Sequence, residues 1–249
     1  MTLRITHAGL SDIGRVRRNN EDRWLADPQQ GLYVVADGIG GNIGGGLAAD
    51  IVVDTLPGFV RKRIKDITDL ASSEAAARLK STLSEFSNRL RSESRGEPGL
   101  DGMGSTVVLV LIRNTYALIA HMGDSRAYFL RDGTLQRLTK DHTIVQLLSD
   151  AGEISAEETA THPARGRLTH FVGMEGEPLP ETRLLEIHPG DRLLLCSDGL
   201  TTLVGDQQLS SIMRHAGPPE ITCVRLIQAA NEAGGTDNIT VIVTDVHPG

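Results

Sequence analysis

The order of apolar and polar positions divides the chain into short strands and longer helices. Residues 3–10, 22–26 and 32–36 are β-prone runs broken by glycine and polar residues, as paired strands are. Over residues 47–64, Ala48, Val52, Leu56 and Phe59 recur at helical spacing. Over residues 74–91, Ala76, Leu79, Leu83, Phe86 and Leu90 do so more cleanly, with Ser72 or Ser73 suited to cap the helix. Both stripes read as packing faces. Gly, Pro and charge mark 95–103 as a loop. Strands then follow at 105–112 and 116–121 around the turn Arg113-Asn114, and at 127–130 and 134–138 around Asp132-Gly133.

Periodicity weakens between 141 and 177, where helices at 143–151 and 155–160 sit in an otherwise loop-like insertion. Strands return at 182–187 and 192–197, then helices at 206–215 and 219–233, ended by Gly234-Gly235, and a last strand at 239–245. Strands come as hairpins rather than alternating with helices. The expectation is therefore an α+β fold of antiparallel sheets with helix pairs outside.

Composition narrows the reading. At 249 residues with 39% hydrophobic and 23% charged residues, a single domain over 1–249 is expected, with 141–177 as a flap inserted in it. A formal charge of −7, and no basic run denser than Arg61-Lys62-Arg63 with Lys65, argue against a nucleic-acid partner. No run of 18 apolar residues occurs and the first residues lack signal-peptide order, so no membrane association and cytoplasmic residence are the expectations. Cys196 and Cys223 are not in C-x-x-C spacing, and neither has an arginine six residues on, so both read as core residues rather than nucleophiles.

Acidic residues recur at strand ends. Glu21-Asp22 begins one run, Asp37, Asp124 and Asp198 end others, and Asp237 precedes the last. Any single Asp-Gly is ordinarily a turn, as Asp132-Gly133 is read to be. Five such sites beside apolar runs are another matter, because a buried strand end is a costly place for an unpaired carboxylate. Carboxylates gathered at one sheet edge repel one another unless a hard, oxygen-liking cation such as Mg²⁺ or Mn²⁺ lies among them.

With these elements in place the sequence resembles the metal-dependent serine/threonine protein phosphatases of type 2C in their compact bacterial form. The resemblance rests on G-R-V-R-R-N-N-E-D (14–22), V-A-D-G-I-G-G (35–41), M-G-S-T (103–106), H-M-G-D-S-R (121–126), D-H-T (141–143), C-S-D-G-L (196–200) and G-T-D-N-I-T (235–240), in family order. It implies an α-β-β-α sandwich and hydrolysis of phosphoserine and phosphothreonine by a water that bridges two Mn²⁺ or Mg²⁺ ions and attacks in line, without a phosphoenzyme. It further implies that Asp37 bridges two ions, that the Gly38 carbonyl joins one of them, and that Asp198 and Asp237 complete the other. Glu21 and Asp22 would hold ion-bound waters, Asp124 with Asp198 a third, looser ion, and Arg17 the substrate phosphate. His162 matches a histidine of some bacterial relatives and is a candidate flap contact to substrate, its plain alternative being a surface loop residue. The implied partners are phosphoproteins and a Ser/Thr kinase, the protein acting as a monomer. Two departures stand out. Ile39 occupies the position where animal members carry a proton-donating histidine, which leaves the general acid unassigned, and G-G-N-I-G-G-G (40–46) lacks the glutamate of the family's G-G-E. A phosphoprotein-binding pseudophosphatase is one competing reading. A serine esterase read from G-D-S-R is the other, and it needs an N-terminal G-D-S and a D-x-x-H near the end, whose spacing Asp245-Val246-His247 does not have.

Overall fold

The computed structural model describes residues 3–40, 44–159 and 161–249. Gly41, which ends one of the family elements, and the neighbouring Asn42 and Ile43 lie outside the described residues, as does Ala160 at the end of the second flap helix.

In chain order the elements are β1 (Leu3–Asp12), β2 (Asp22–Asp27), β3 (Leu32–Ile39), α1 (Gly44–Ile64), α2 (Ser73–Ser94), β4 (Gly104–Ser105), β5 (Val107–Arg113), β6 (Tyr116–Met122), β7 (Arg126–Arg131) and β8 (Thr134–Arg137). They continue with α3 (Ile144–Asp150), α4 (Ala156–Thr159), β9 (Glu181–Glu186), β10 (Arg192–Cys196), α5 (Asp198–Thr201), α6 (Asp206–Met213), α7 (Pro219–Glu232) and β11 (Ile239–Pro248). One sheet runs β1-β11-β10-β7-β8, the other β2-β3-β5-β6-β9 with β4 on β3, and every pairing is antiparallel. The predicted α+β class is the one observed.

Three apolar clusters define the layers. Tyr33, Val35, Val108 and Val110 meet Phe129, Leu193, Leu195 and Ile242 between the two sheets. Alternate residues of the same strands, Leu32, Val34 and Leu109, pack outward on Val52, Leu56, Leu79 and Leu83 of α1 and α2. On the far side Leu194, Cys196 and Val241 meet Leu209, Cys223 and Leu226 of α6 and α7. Strands buried on both faces read as continuous apolar runs, which explains Val107–Arg113 and the Leu-rich stretch of β10. Both cysteines are buried, and burial pushes each thiol up to about 12.

Turn chemistry follows the sequence. Asn114 and Asp132 have φ of 55° and 50°, and Ser72 accepts the Ala75 N–H as the N-cap of α2. The helix read as starting at 47 begins at Gly44, because its glycine start lies against the end of β3. A side chain at Gly38 would put its Cβ 2.2 Å from the Gly45 carbonyl oxygen, so glycine is required for this contact. No helix among the described residues is long and apolar enough to cross a membrane.

Candidate metal centre

The β2–β3 ladder places Asp22 directly opposite Asp37. Like charges in that position destabilise a sheet unless something neutralises them. Asp124 lies on the connection from β6 to β7, Asp198 opens α5 immediately after β10, and Asp237 stands just before β11. Both sheets thus contribute acids to one edge.

Burial and mutual repulsion raise the affinity of these acids for protons. Burial first, then repulsion from Asp22, Asp198, Asp124 and Asp237, holds the Asp37 carboxyl well above the usual carboxylate range. Burial and the charge of Asp198 do the same to Asp124. Asp198 is raised by burial first and then by the charge of Asp237. Burial raises Asp22 to about 7 even though the Ser197 Oγ donates to its Oδ2 at 2.7 Å. Buried carboxyls that raise one another this way need protons or cations among them.

The donor set fits a hard divalent cation, since every convergent group is an oxygen. Among the described residues no three acid oxygens of the cluster come within 4.8 Å of one another, so its cations would be completed by backbone carbonyls and water. Such mixed coordination is usual for Mg²⁺ and Mn²⁺. Gly38 follows Asp37 on β3, and its N–H donates to the Glu21 carbonyl at 3.2 Å. The Glu21 carboxylate lies against Gly45 at the start of α1.

Supporting hydrogen bonds, which sequence reasoning did not assign, hold this edge rigid. Thr106 accepts the Asp37 N–H on its Oγ1 at 3.1 Å, donates its own N–H to the Asp37 carbonyl at 2.8 Å, and meets Ser125 Oγ at 2.7 Å. Buried Asn238 accepts the Glu21 N–H at 2.8 Å and donates to the Ile13 and Asn19 carbonyls, each at 3.0 Å. The 13–21 loop is thereby tied to the last strand. Arg17 rides on that loop and donates to Asp237 Oδ2 at 2.7 Å, and this bond leads the causes that raise its guanidinium pKa. The motifs G-D-S-R and D-H-T also meet. Arg126 makes a two-pronged pair with Asp141 at 3.0 and 2.7 Å, and Arg137 joins the same carboxylate.

Three buried or half-buried histidines lie behind Asp124. The rings of His121 and His142 stack at 4.6 Å, and His170 meets His142 edge-on at 5.2 Å. His121, His142 and Glu181 bring potential ligand atoms within 4.8 Å of one another, but the hydrogen bonds assign a structural role. His142 accepts the Gly123 N–H on Nδ1 at 3.3 Å while its own N–H donates to the Gly123 carbonyl at 3.0 Å. A neutral ring so bonded carries its proton on Nε2, the nitrogen facing Glu181, and cannot ligate there. Burial and the other two histidines lower the His142 pKa to about 3. The three histidines therefore pin the loop that carries Asp124.

His162 does not line the cavity beside Asp124 and Asp198. Its Nδ1 accepts the Ala164 N–H at 3.1 Å, and the described flap residues that do line that cavity come from 141–146 together with Thr159, Arg165 and Gly166. Ile39 follows Gly38 on β3 and has no proton to give.

Comparison with known proteins gives a consistent picture. The family model described as protein phosphatase 2C matches residues 14–220. The serine/threonine protein phosphatase PstP of Mycobacterium tuberculosis is 38% identical over 249 residues, covering 99% of this chain. The chain spans only 46% of that relative's length. The serine/threonine phosphatase Stp of Listeria monocytogenes is 34% identical over 238 residues, with 94% of this chain and 93% of the relative covered. The crystal structure of the PstP catalytic domain in complex with two manganese ions superposes with a TM-score of 0.83 at 34% identity, covering 99% of this chain and 100% of that one.

Proposed function

The chain belongs to the protein phosphatase 2C family, and from that premise we propose that it hydrolyses phosphoserine and phosphothreonine in proteins with Mn²⁺ or Mg²⁺ as cofactor. The observation that carries the reading is the meeting of Asp22, Asp37, Asp124, Asp198 and Asp237, from two sheets, at one edge beside Arg17.

When bound, the cations supply Lewis acidity that neutralises phosphate charge and eases loss of a proton from water. Asp37, the Gly38 carbonyl, Asp198 and Asp237 would hold two of them, and Asp124 with Asp198 a third. Glu21 and Asp22 orient water at the same edge, Asp22 itself being fixed by Ser197. Arg17, on its exposed loop, can turn its planar donor fork from Asp237 to the phosphate oxygens once a cation takes Asp237. With Ile39 after Gly38, the side chain at that position donates no proton, so the leaving alkoxide takes its proton from water. The proposed substrates are phosphoproteins made by a Ser/Thr kinase, met by a monomer in the cytoplasm.

Turnover of p-nitrophenyl phosphate tests the reading. Activity should require added Mn²⁺ or Mg²⁺ and disappear in EDTA, and Asp37→Asn and Asp198→Asn should each lower it by on the order of a thousandfold or more without unfolding the protein. Full activity in excess chelator would sink the proposal.

A further inference from the structure

Beside the acidic edge lies a second cavity, of about 300 Å³, whose walls are charged. Asp124 and Asp198 form one wall, so it opens directly onto the candidate metal centre. Arg126, Arg137 and Arg165 form the other, with Asp141 as the remaining carboxylate. The Arg126 guanidinium is consumed by that carboxylate and by the Tyr128 hydroxyl at 3.2 Å. Arg137 is not. Its Nη2 shares the Asp141 oxygen that Arg126 Nε already bonds, while its Nε is buried without a hydrogen-bond partner. Such a donor ordinarily finds an acceptor. Arg165 reaches across from the flap to the Thr202 carbonyl at 3.4 Å and adds a third guanidinium to the wall.

Once cations occupy the acidic edge, Asp124 and Asp198 are neutralised and the cavity is left with three guanidiniums against one carboxylate. That is an anion site. Arg17 is paired with Asp237 and does not line this cavity. An extended peptide advances about 3.3 Å per residue, so a phosphate held over the acidic edge leaves a side chain a few residues away at the cavity mouth.

We infer that this cavity is a subsite for a second anionic group of the substrate, a carboxylate or a second phosphate near the phosphoresidue being hydrolysed. The inference rests on the proposed phosphatase activity and adds a sequence preference to it.

The test uses the Mn²⁺-loaded full chain and phosphothreonine peptides. These carry Ala, Glu or a non-hydrolysable phosphonate at one position, scanned over three residues on either side. At one register, kcat/KM for Glu or phosphonate should exceed Ala by about 10-fold, the scale of a charge-assisted contact. Preference for the phosphonate alone would identify a phosphate site, and preference for both a general anion site. Arg137→Gln should erase the preference while p-nitrophenyl phosphate turnover stays within about twofold. Gln146→Glu, which adds a negative charge to the same wall without touching the Arg126–Asp141 pair, should do likewise if Arg137→Gln fails to fold. Binding of a fully non-hydrolysable bis-phosphonate peptide, read by fluorescence polarisation, should weaken in parallel. Equal kcat/KM for all peptides, or a preference that survives both variants, overturns the subsite. Failure to hydrolyse any peptide or p-nitrophenyl phosphate would instead remove the phosphatase reading.

Discussion

Arg17 and Asp237 form an exposed ion pair between two groups that each have another proposed use. A pair this open to solvent contributes little to stability, so its replacement should be felt in catalysis rather than folding. Arg17→Ala should lower kcat/KM by about 10-fold to 100-fold, and Arg17→Lys by less, since lysine keeps the charge but not the fork. Mn²⁺ affinity should hold or rise slightly, because Asp237 loses a competitor. Separate titrations of Mn²⁺ and substrate decide the matter: a loss that excess Mn²⁺ fully repairs would mean Arg17 acts on the cation instead. At this scale the acids were legible in the sequence, because each stands where an apolar run starts or stops. Thr106, Ser125, Ser197 and Asn238 were not, because their role is set by partners up to 225 residues away in the chain. The same holds for Arg126 and Asp141, both quoted in motifs, whose pairing becomes visible only when β7 and the flap are folded together.

At the scale of elements, α1 couples the core to the site. Its first turn packs against Gly38 of β3 and its last turn lies by Leu32 of β3 and Arg113 of β5, so Gly38 on the strand and Gly58 within the helix make a controlled comparison. Gly58 lies in the helix interior with no atom within 4 Å of an added Cβ. Gly58→Ala should therefore stabilise the protein by about 0.5–1 kcal/mol through a less mobile unfolded chain. Gly38→Ala puts a methyl 2.2 Å from the Gly45 carbonyl oxygen and must push α1 off β3. It should cost about 1–3 kcal/mol and weaken Mn²⁺ binding with it. Thermal melts of both variants, with and without Mn²⁺, check this, and a Gly38→Ala protein that melts and binds Mn²⁺ like the wild type would refute the packing argument. Periodicity located α1 and α2 well because their apolar stripes span several turns. It overlooked α5, which is only four residues long and shorter than one clear period. It also stopped β11 at 245 although pairing with β1 continues to Pro248, since the polar residues there are held by ladder bonds rather than by burial.

For the whole molecule, the acidic edge links folding to pH and to metal. Asp22 is raised from 3.8 to about 7, and Asp37, Asp124 and Asp198 are also raised. The folded protein therefore keeps protons that the unfolded chain has already released, and stability falls as pH rises through the window from the unfolded to the folded values. Cations replace those protons. The rise in Tm on adding Mn²⁺ should accordingly grow from about pH 5 to about pH 8. His142, lowered to about 3, loses stability in the opposite sense on acidification, but it does so with or without Mn²⁺ and cancels in the difference. Differential scanning fluorimetry in Mn²⁺ and in EDTA across this range gives the measurement. A gain that is flat or shrinks with pH would show that the acids do not take up the ion together.

The pairing of the first and last strands of the chain has a consequence for how this domain can be tethered. β1 and β11 run side by side from Asp12 opposite Ile239 to Leu3 opposite Pro248. The Asp12 end adjoins the acidic edge, so Leu3 and Pro248 lie next to each other at the far end, roughly 30 Å away at about 3.3 Å per residue. A linker, anchor or fluorescent protein attached at either end would leave the molecule at one point on its back, with the cleft facing outward and free to sweep the space around the attachment.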